Sequence, residues 1–355
     1  MTARVVLPLS GAAAIATATA TVQSAWAAPL QDALRPAGVQ ARTILDLLNL
    51  TVIVCTAVFA AVLIAFFWAL WRAPRGTRET PADMSTEADS AVGPKAVAEP
   101  GLRRAVIVAT IVSTVLLFGL IFADVLTDRA LARLSMRDAV QIEVTAHQWW
   151  WEIRYNDPQA SNVFITANEM HIPVGQPVLV TLKSSDVIHS FWVPNLHGKK
   201  DLIPGRTATI RFRADHAGEY RGQCAEFCGY EHALMSFLVI AETPDKYAAW
   251  LAHQRQDAPP PSNELQTRGE QIFLTHSCAM CHTVQGIGAN AVLGPDLTHV
   301  ASRQTLAAGT LPNTPGHLAG WIVDAQRIKP GTVMPPNPLA PDELHALLAY
   351  MATLR

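Results

Sequence analysis

A chain of 355 residues is long for one domain and suits two or three. With half its residues apolar and only 16% charged, it reads as a membrane protein that carries folded parts outside the bilayer. The formal net charge of −2, with no basic stripe and no phosphate-binding loop, gives no case for a nucleic-acid partner, and none is expected.

In chain order, residues 1–27 read as a secretory signal. Arg4 supplies the positive end, an Ala/Val/Ile-rich stretch follows, and Ala25-Trp26-Ala27 has a small-x-small cleavage pattern. Two nearly continuous apolar runs come next within residues 28–137, at about 45–71 and 105–125. Each is long enough to cross a hydrocarbon core of about 30 Å, and neither carries an amphipathic stripe. Arg72, Arg75 and Arg78 follow the first run, and Arg103 and Arg104 precede the second. That excess of positive charge places the intervening loop in the cytoplasm and both termini on the outer face. The middle of the loop, 77–101, is rich in Pro, Ala and Glu and is expected to be disordered. Cys55, inside the first run, is read as a small hydrophobe.

From Val140 the periodicity changes to two. Val140, Ile142 and Val144 alternate with polar neighbours, and strand-like runs recur near Val163, Val178, Ile210 and Ser236. Turn signals at Pro173-Val-Gly175 and Pro204-Gly205 separate them, predicting short antiparallel strands in a sandwich or barrel over 138–252. Pro259-Pro260-Pro261 marks a stiff extended linker within 253–264. A third unit, 265–355, opens on a helix at Gly269–Phe273 and closes on an amphipathic helix from Asp342 to Thr353.

Two constellations carry chemistry. The first is Cys224-x-Glu226-x-Cys228-x₃-His232-x₂-Met235, with His189 upstream in Asp186-Val-Ile-His189-Ser-Phe-Trp192. Thiolate and thioether are soft ligands and imidazole is intermediate, so the set suits copper. A mononuclear blue-copper site needs one Cys; a second thiolate is the right supply for two bridged coppers. A structural disulfide and a zinc site are the alternatives, although zinc sites more often space their thiols as C-x₂-C and have no use for a thioether. The second constellation is Cys278-Ala-Met-Cys281-His282, a C-x-x-C-H haem attachment motif. Its two thiols add to haem vinyl groups and the adjacent imidazole binds iron. Met334, stiffened by Pro335-Pro336 and preceded by Gly331, is the preferred sixth ligand over Met351, His299, His317 and His345.

The first motif with its upstream segment resembles subunit II of the haem–copper cytochrome c oxidases, and the region from Cys278 onward resembles small class I cytochromes c. Together the resemblance covers essentially the chain beyond the signal and is that of a caa-type subunit II. It implies a multidomain membrane protein with a two-helix transmembrane hairpin, an all-β cupredoxin-like domain and an all-α class I cytochrome c domain. It also implies a dinuclear CuA centre in which Cys224 and Cys228 bridge the coppers and His189 and His232 each bind one. Met235 is then the weak ligand, Glu226 binds through its main-chain carbonyl, and the Glu226 carboxylate is a candidate for a magnesium site shared with subunit I. Within His147-Gln-Trp149-Trp150-Trp151, Trp149 matches the family's point of electron input, and Lys200–Arg206 matches a segment facing subunit I. The implied partners are subunit I, further oxidase subunits and a donor such as a cytochrome c or a quinol–cytochrome c reductase. The implied setting is the bacterial inner membrane with the metal domains outside, and the implied role is electron input to oxygen reduction and proton pumping in subunit I. A CuA subunit of a nitric oxide reductase and a copper-carrying assembly factor are the rival readings.

Overall fold

The computed structural model describes residues 30–72 and 99–355. The expected signal sequence at 1–27 and most of the loop at 77–101 lie outside the described residues. Helices α1 (Val39–Arg72) and α2 (Glu99–Leu131) form a hairpin, and the apolar window of each holds no buried residue, as expected of surfaces meant for lipid or a partner rather than water. Both helices run past the expected spans of 45–71 and 105–125. Helical hydrogen bonding continues where the apolar run stops, and the first turn of α1 is held by the next domain.

That hold is specific. Ala37 N donates to Asn195 O (2.7 Å), Ala41 N to Leu196 O (3.2 Å), and the buried Gln40 side chain accepts from Arg213 N (3.3 Å). Gly38 bridges to Ala214, and a Cβ there would stand 2.4 Å from Arg213 O, so only glycine permits the approach. The membrane hairpin is thereby tied to the domain above it.

Ten strands follow: β1 (Val140–His147), β2 (Trp150–Asn156), β3 (Phe164–Ala167), β4 (Glu169–Pro173), β5 (Val178–Ser184), β6 (His189–Trp192), β7 (Lys200–Leu202), β8 (Ala208–Phe212), β9 (Gly218–Cys224) and β10 (Ser236–Glu242). They form two five-stranded sheets in the orders β3-β2-β1-β5-β8 and β4-β10-β9-β6-β7. Alternate residues Ile142, Val144 and Ala146 of β1 face inward to meet Met170, Phe191 and Phe237 of the other sheet, as period-two patterning requires. The expectation of antiparallel pairing needs one correction. β1 pairs with β5 in parallel, and β4 pairs with β10 in parallel. The chain crosses between sheets at β3–β4 and again after β4, so strands distant in sequence become neighbours with the same direction.

Helix α3 (Pro244–Gln254) packs on β4 and β10 and leads to the Pro-rich stretch. The C-terminal unit holds α4 (Glu264–Thr275), α5 (Pro315–Val323), α6 (Ala325–Ile328) and α7 (Pro341–Met351). Helix α4 begins five residues before the expected Gly269, because Asn263 accepts from Gln266 N (3.0 Å) while the Gln266 side chain accepts from Ser262 N (2.8 Å). Gly269 instead marks the crossing of α4 over α7. The core here gathers Phe273, Ile322, Leu347, Tyr350 and Leu354.

Candidate redox centres

Three elements deliver the first group of side chains. β6 starts at His189, β9 ends at Cys224, and the loop between β9 and β10 carries Cys228, His232 and Met235. His189, Cys224, Cys228 and Met235 are buried, and the ligand atoms of the first three lie within 4.8 Å of one another. The two sulfurs are 3.7 Å apart and not bonded, so the disulfide alternative does not describe this structure. Each sulfur has its own imidazole: Cys224 Sγ is 3.8 Å from His189 Nδ1, and Cys228 Sγ is 3.6 Å from His232 Nδ1. Met235 Sδ lies 3.9 Å from Cys228 Sγ, and the main-chain carbonyl of Glu226 lies 3.2 Å from Cys224 Sγ, while Glu226 as a whole is exposed. The donor chemistry and its near symmetry about the sulfur pair fit two soft metal ions better than one.

Neighbours hold these donors in place. His189 Nε2 donates to Asp186 Oδ1 (2.8 Å), which leaves Nδ1 with its lone pair toward Cys224. Burial opposes protonation of His189, but the Asp186 and Cys224 partners outweigh it and its pKa rises. Cys228 hydrogen-bonds to Cys224, which depresses the Cys224 pKa and raises that of Cys228, so the pair readily gives up a first proton. The Cys228 carbonyl accepts two bonds, from Gln148 Nε2 (2.7 Å) and Trp149 Nε1 (3.0 Å). His147 stands outside the group, stacked on Trp150 and 2.9 Å from Ser185 Oγ, which marks it as a structural histidine. Asp201 and Arg206 are exposed, and no ion pair joins them among the described residues.

The second group lines a cavity with an empty volume of about 1350 Å³, mouth included. Cys278, Cys281, His282 and Met334 all border it, among Phe273, Leu297, Leu318, Ile322 and Leu347. His282 Nδ1 donates to Pro295 O (2.7 Å), directing the other ring nitrogen away from that carbonyl, and burial lowers its pKa, which keeps the ring neutral as a ligand must be. A Cβ on Gly294 would come within 2.6 Å of the His282 ring, so glycine is required beside it. Arg303 also borders the cavity and its Nε is buried without a partner; the carboxylate-bearing edge of a haem would satisfy it. An apolar slot with two thiols, an imidazole and a thioether fits haem c. Of the five candidate sixth ligands, only Met334 and Met351 border the cavity. Met351 does so because the last turn of α7 reaches the slot. His299 has both ring nitrogens engaged, by Arg355 O (2.5 Å) and Gln256 O (3.1 Å).

Trp149 belongs to both groups. It borders the cavity, its indole bonds to the Cys228 carbonyl, and it is 8% exposed. Asp186, Gln148 and Arg303 gained no role from the sequence. The one available signal was Asp186 three residues before His189.

Two helices long and apolar enough to cross a membrane, a β-sandwich that gathers a thiol pair with two imidazoles, and a helical unit whose apolar cavity is bordered by two thiols, an imidazole and a thioether fit a membrane-anchored subunit with two redox groups. Residues 140–242 match the family described as cytochrome c oxidase subunit II, periplasmic domain, and residues 266–355 match the family described as cytochrome c. The cytochrome c oxidase subunit 2 of Alkalihalophilus pseudofirmus is 35% identical over 325 residues, covering 91% of this chain and 90% of that protein. The subunit 2 of Bacillus subtilis is 29% identical over 347 residues, covering 92% of each. A crystal structure of the periplasmic domain of subunit II (CoxB) of Bradyrhizobium japonicum shares 30% identity and covers 33% of this chain and 93% of that one, with a TM-score of 0.31. The chain belongs to the cytochrome c oxidase subunit 2 family, in the form that carries a C-terminal cytochrome c domain. The two domain families imply CuA and haem c respectively.

Proposed function

We propose that this chain is the electron-input subunit of a proton-pumping terminal oxidase. It takes electrons from a cytochrome c or a quinol–cytochrome c reductase at its C-terminal domain and passes them through its β-sandwich to subunit I, where oxygen is reduced. When bound, the copper pair and the haem supply one-electron redox chemistry. Cys224 and Cys228 would bridge the coppers, His189 and His232 would each bind one, and Met235 and the Glu226 carbonyl would complete the set. Cys278 and Cys281 would hold the haem covalently, and His282 and Met334 would bind its iron. The exposed Glu226 carboxylate is left free to share a magnesium ion with subunit I. The arginines at the loop ends of α1 and α2 favour an inner-membrane orientation with both redox domains outside.

The observation that carries this reading is the shared position of Trp149, which borders the cavity of Cys278, Cys281 and His282 and bonds to the main chain of Cys228. Strands and tight side-chain contacts hold the donors still, so little needs to rearrange when charge arrives. The test is purification of the intact complex with wild-type chain and with Cys224→Ser. The wild type is expected to consume oxygen with reduced cytochrome c and to show the paramagnetic resonance of one electron shared by two coppers. The variant is expected to lose that signal and the oxygen uptake while keeping its haem c spectrum. Uptake of nitric oxide in place of oxygen, or a four-line signal from one localised copper, would overturn the reading.

A further inference from the structure

Lys329, directly after α6, is 2% exposed although it carries a charge. Its ammonium has three donors, and each meets a carbonyl: Trp149 O at 2.7 Å, Leu234 O at 2.9 Å and Ala307 O at 3.3 Å. The first two belong to the β-sandwich and the third to the lysine's own domain. A converse arrangement lies nearby. Glu169, at the start of β4 and 4% exposed, sends its carboxylate into the C-terminal domain. One of its oxygens accepts from Gln304 N (2.8 Å), Thr305 N (2.9 Å) and Thr305 Oγ1 (3.3 Å). Between them, Ser236 N and Oγ both donate to Ala308 O, at 3.0 and 2.9 Å. Gly309, at φ +75°, leaves no room for a Cβ, which would stand 2.1 Å from Ser236 Oγ.

Each domain thus inserts one charge into the main chain of the other. Burying two charges apart costs solvation, so their gain lies less in affinity than in geometry, since a shifted dock would leave an ammonium or a carboxylate dry and unpaired. Lys329 also grips the main chain of Trp149, and Gly331, two residues on, packs on the Trp149 ring, with its would-be Cβ 3.5 Å from the indole.

We propose that Lys329 and Glu169 form a reciprocal charge lock that fixes the C-terminal domain in one orientation on the β-sandwich, with Lys329 as the positioning residue for Trp149. Electron passage between the two sites is then an event within a docked pair, not the arrival of a swinging domain. Trp149, covered by the chain's own domain, is an internal wall, and an outside donor must engage the C-terminal domain instead. The proposal rests on the electron-input reading for its kinetic consequence, but the dock itself has an independent readout.

The experiment uses the full chain in the assembled oxidase, comparing wild type with Lys329→Met and Glu169→Gln. Two quantities are read: the rate of internal electron equilibration after flash reduction at the C-terminal domain, and hydrogen exchange of the Gln304 and Thr305 amides. Wild type is expected to equilibrate at a rate independent of added glycerol and to protect both amides. Each variant is expected to equilibrate at least about tenfold more slowly and to lose protection, with haem and copper contents unchanged, because a buried partner of a charged group is left unpaired. A wild-type rate that falls in proportion to viscosity, or variants within about twofold of wild type in both readouts, would overturn the lock. Should Lys329→Met fail to load haem, Glu169→Gln decides alone, since Glu169 does not border the cavity. Protected amides in a wild type that shows no internal transfer would refute the electron-input reading and leave the lock standing.

Discussion

Replacing Gly269 by Ala sets two known effects against each other with opposite signs. In an exposed helix the change would stabilise by about 1 kcal/mol, because alanine restricts the unfolded chain and favours the helix. Here the new methyl would lie 2.1 Å from Ala346 O, 2.7 Å from Ala346 C and 2.7 Å from Tyr350 Cβ. The first two are backbone atoms of α7, so no side chain can rotate away. The helices must part by nearly 1 Å before the contact reaches even the shortest tolerable separation of 3.0 Å. A gap of that size forfeits about a quarter to a half of the dispersion energy of the atoms that face it. Phe273, Leu347 and Tyr350, all in this seam, are the ones affected. Overpacking of this kind costs about 3 kcal/mol, and the helix gain leaves a net loss near 2 kcal/mol. For a domain of this size the melting temperature should drop by roughly 8–16 °C. Calorimetry of the full chain in detergent, with the C-terminal transition identified by bleaching of its haem bands, measures it. A melting temperature equal to or above that of wild type would refute the reasoning, because propensity would then have outweighed the clash.

Met334→His exchanges a thioether for an imidazole at the proposed sixth position. It should abolish the weak far-red absorption band of a Met-ligated ferric haem and lower the reduction potential. Survival of the band in the variant would transfer the role to Met351, the other methionine on the cavity wall. His171, against Glu242 and under Trp250, should make the β-sandwich less stable in acid. Burial holds its pKa below the ordinary 6.5 despite the opposing Glu242, so the folded state resists a proton that the unfolded chain accepts. The contribution is full above pH 6.5 and is lost as pH falls through the depressed value. His171→Gln should flatten the slope of melting temperature against pH in that window, and an unchanged slope would discard this account.

What the sequence determined by itself are the features whose partners lie close along the chain. Cys224 to Met235 and Cys278 to His282 are legible because a single loop must deliver each set, so spacing alone states the chemistry. The two spans are legible because lipid demands an unbroken apolar run, and the sandwich strands because one buried face imposes period two. Tertiary structure decided the rest. It brought His189 to Cys224 across two strands, and its crossings between sheets made β1–β5 and β4–β10 parallel where antiparallel hairpins were expected. It carried the last turn of α7 to the cavity, a matter of helix crossing at Gly269 that no periodicity records. Nothing in the residues around Lys329 marks it as other than a surface lysine. Only the fold lays the carbonyls of Trp149 and Leu234 beside it, and a buried charge is tolerated where such partners wait and nowhere else.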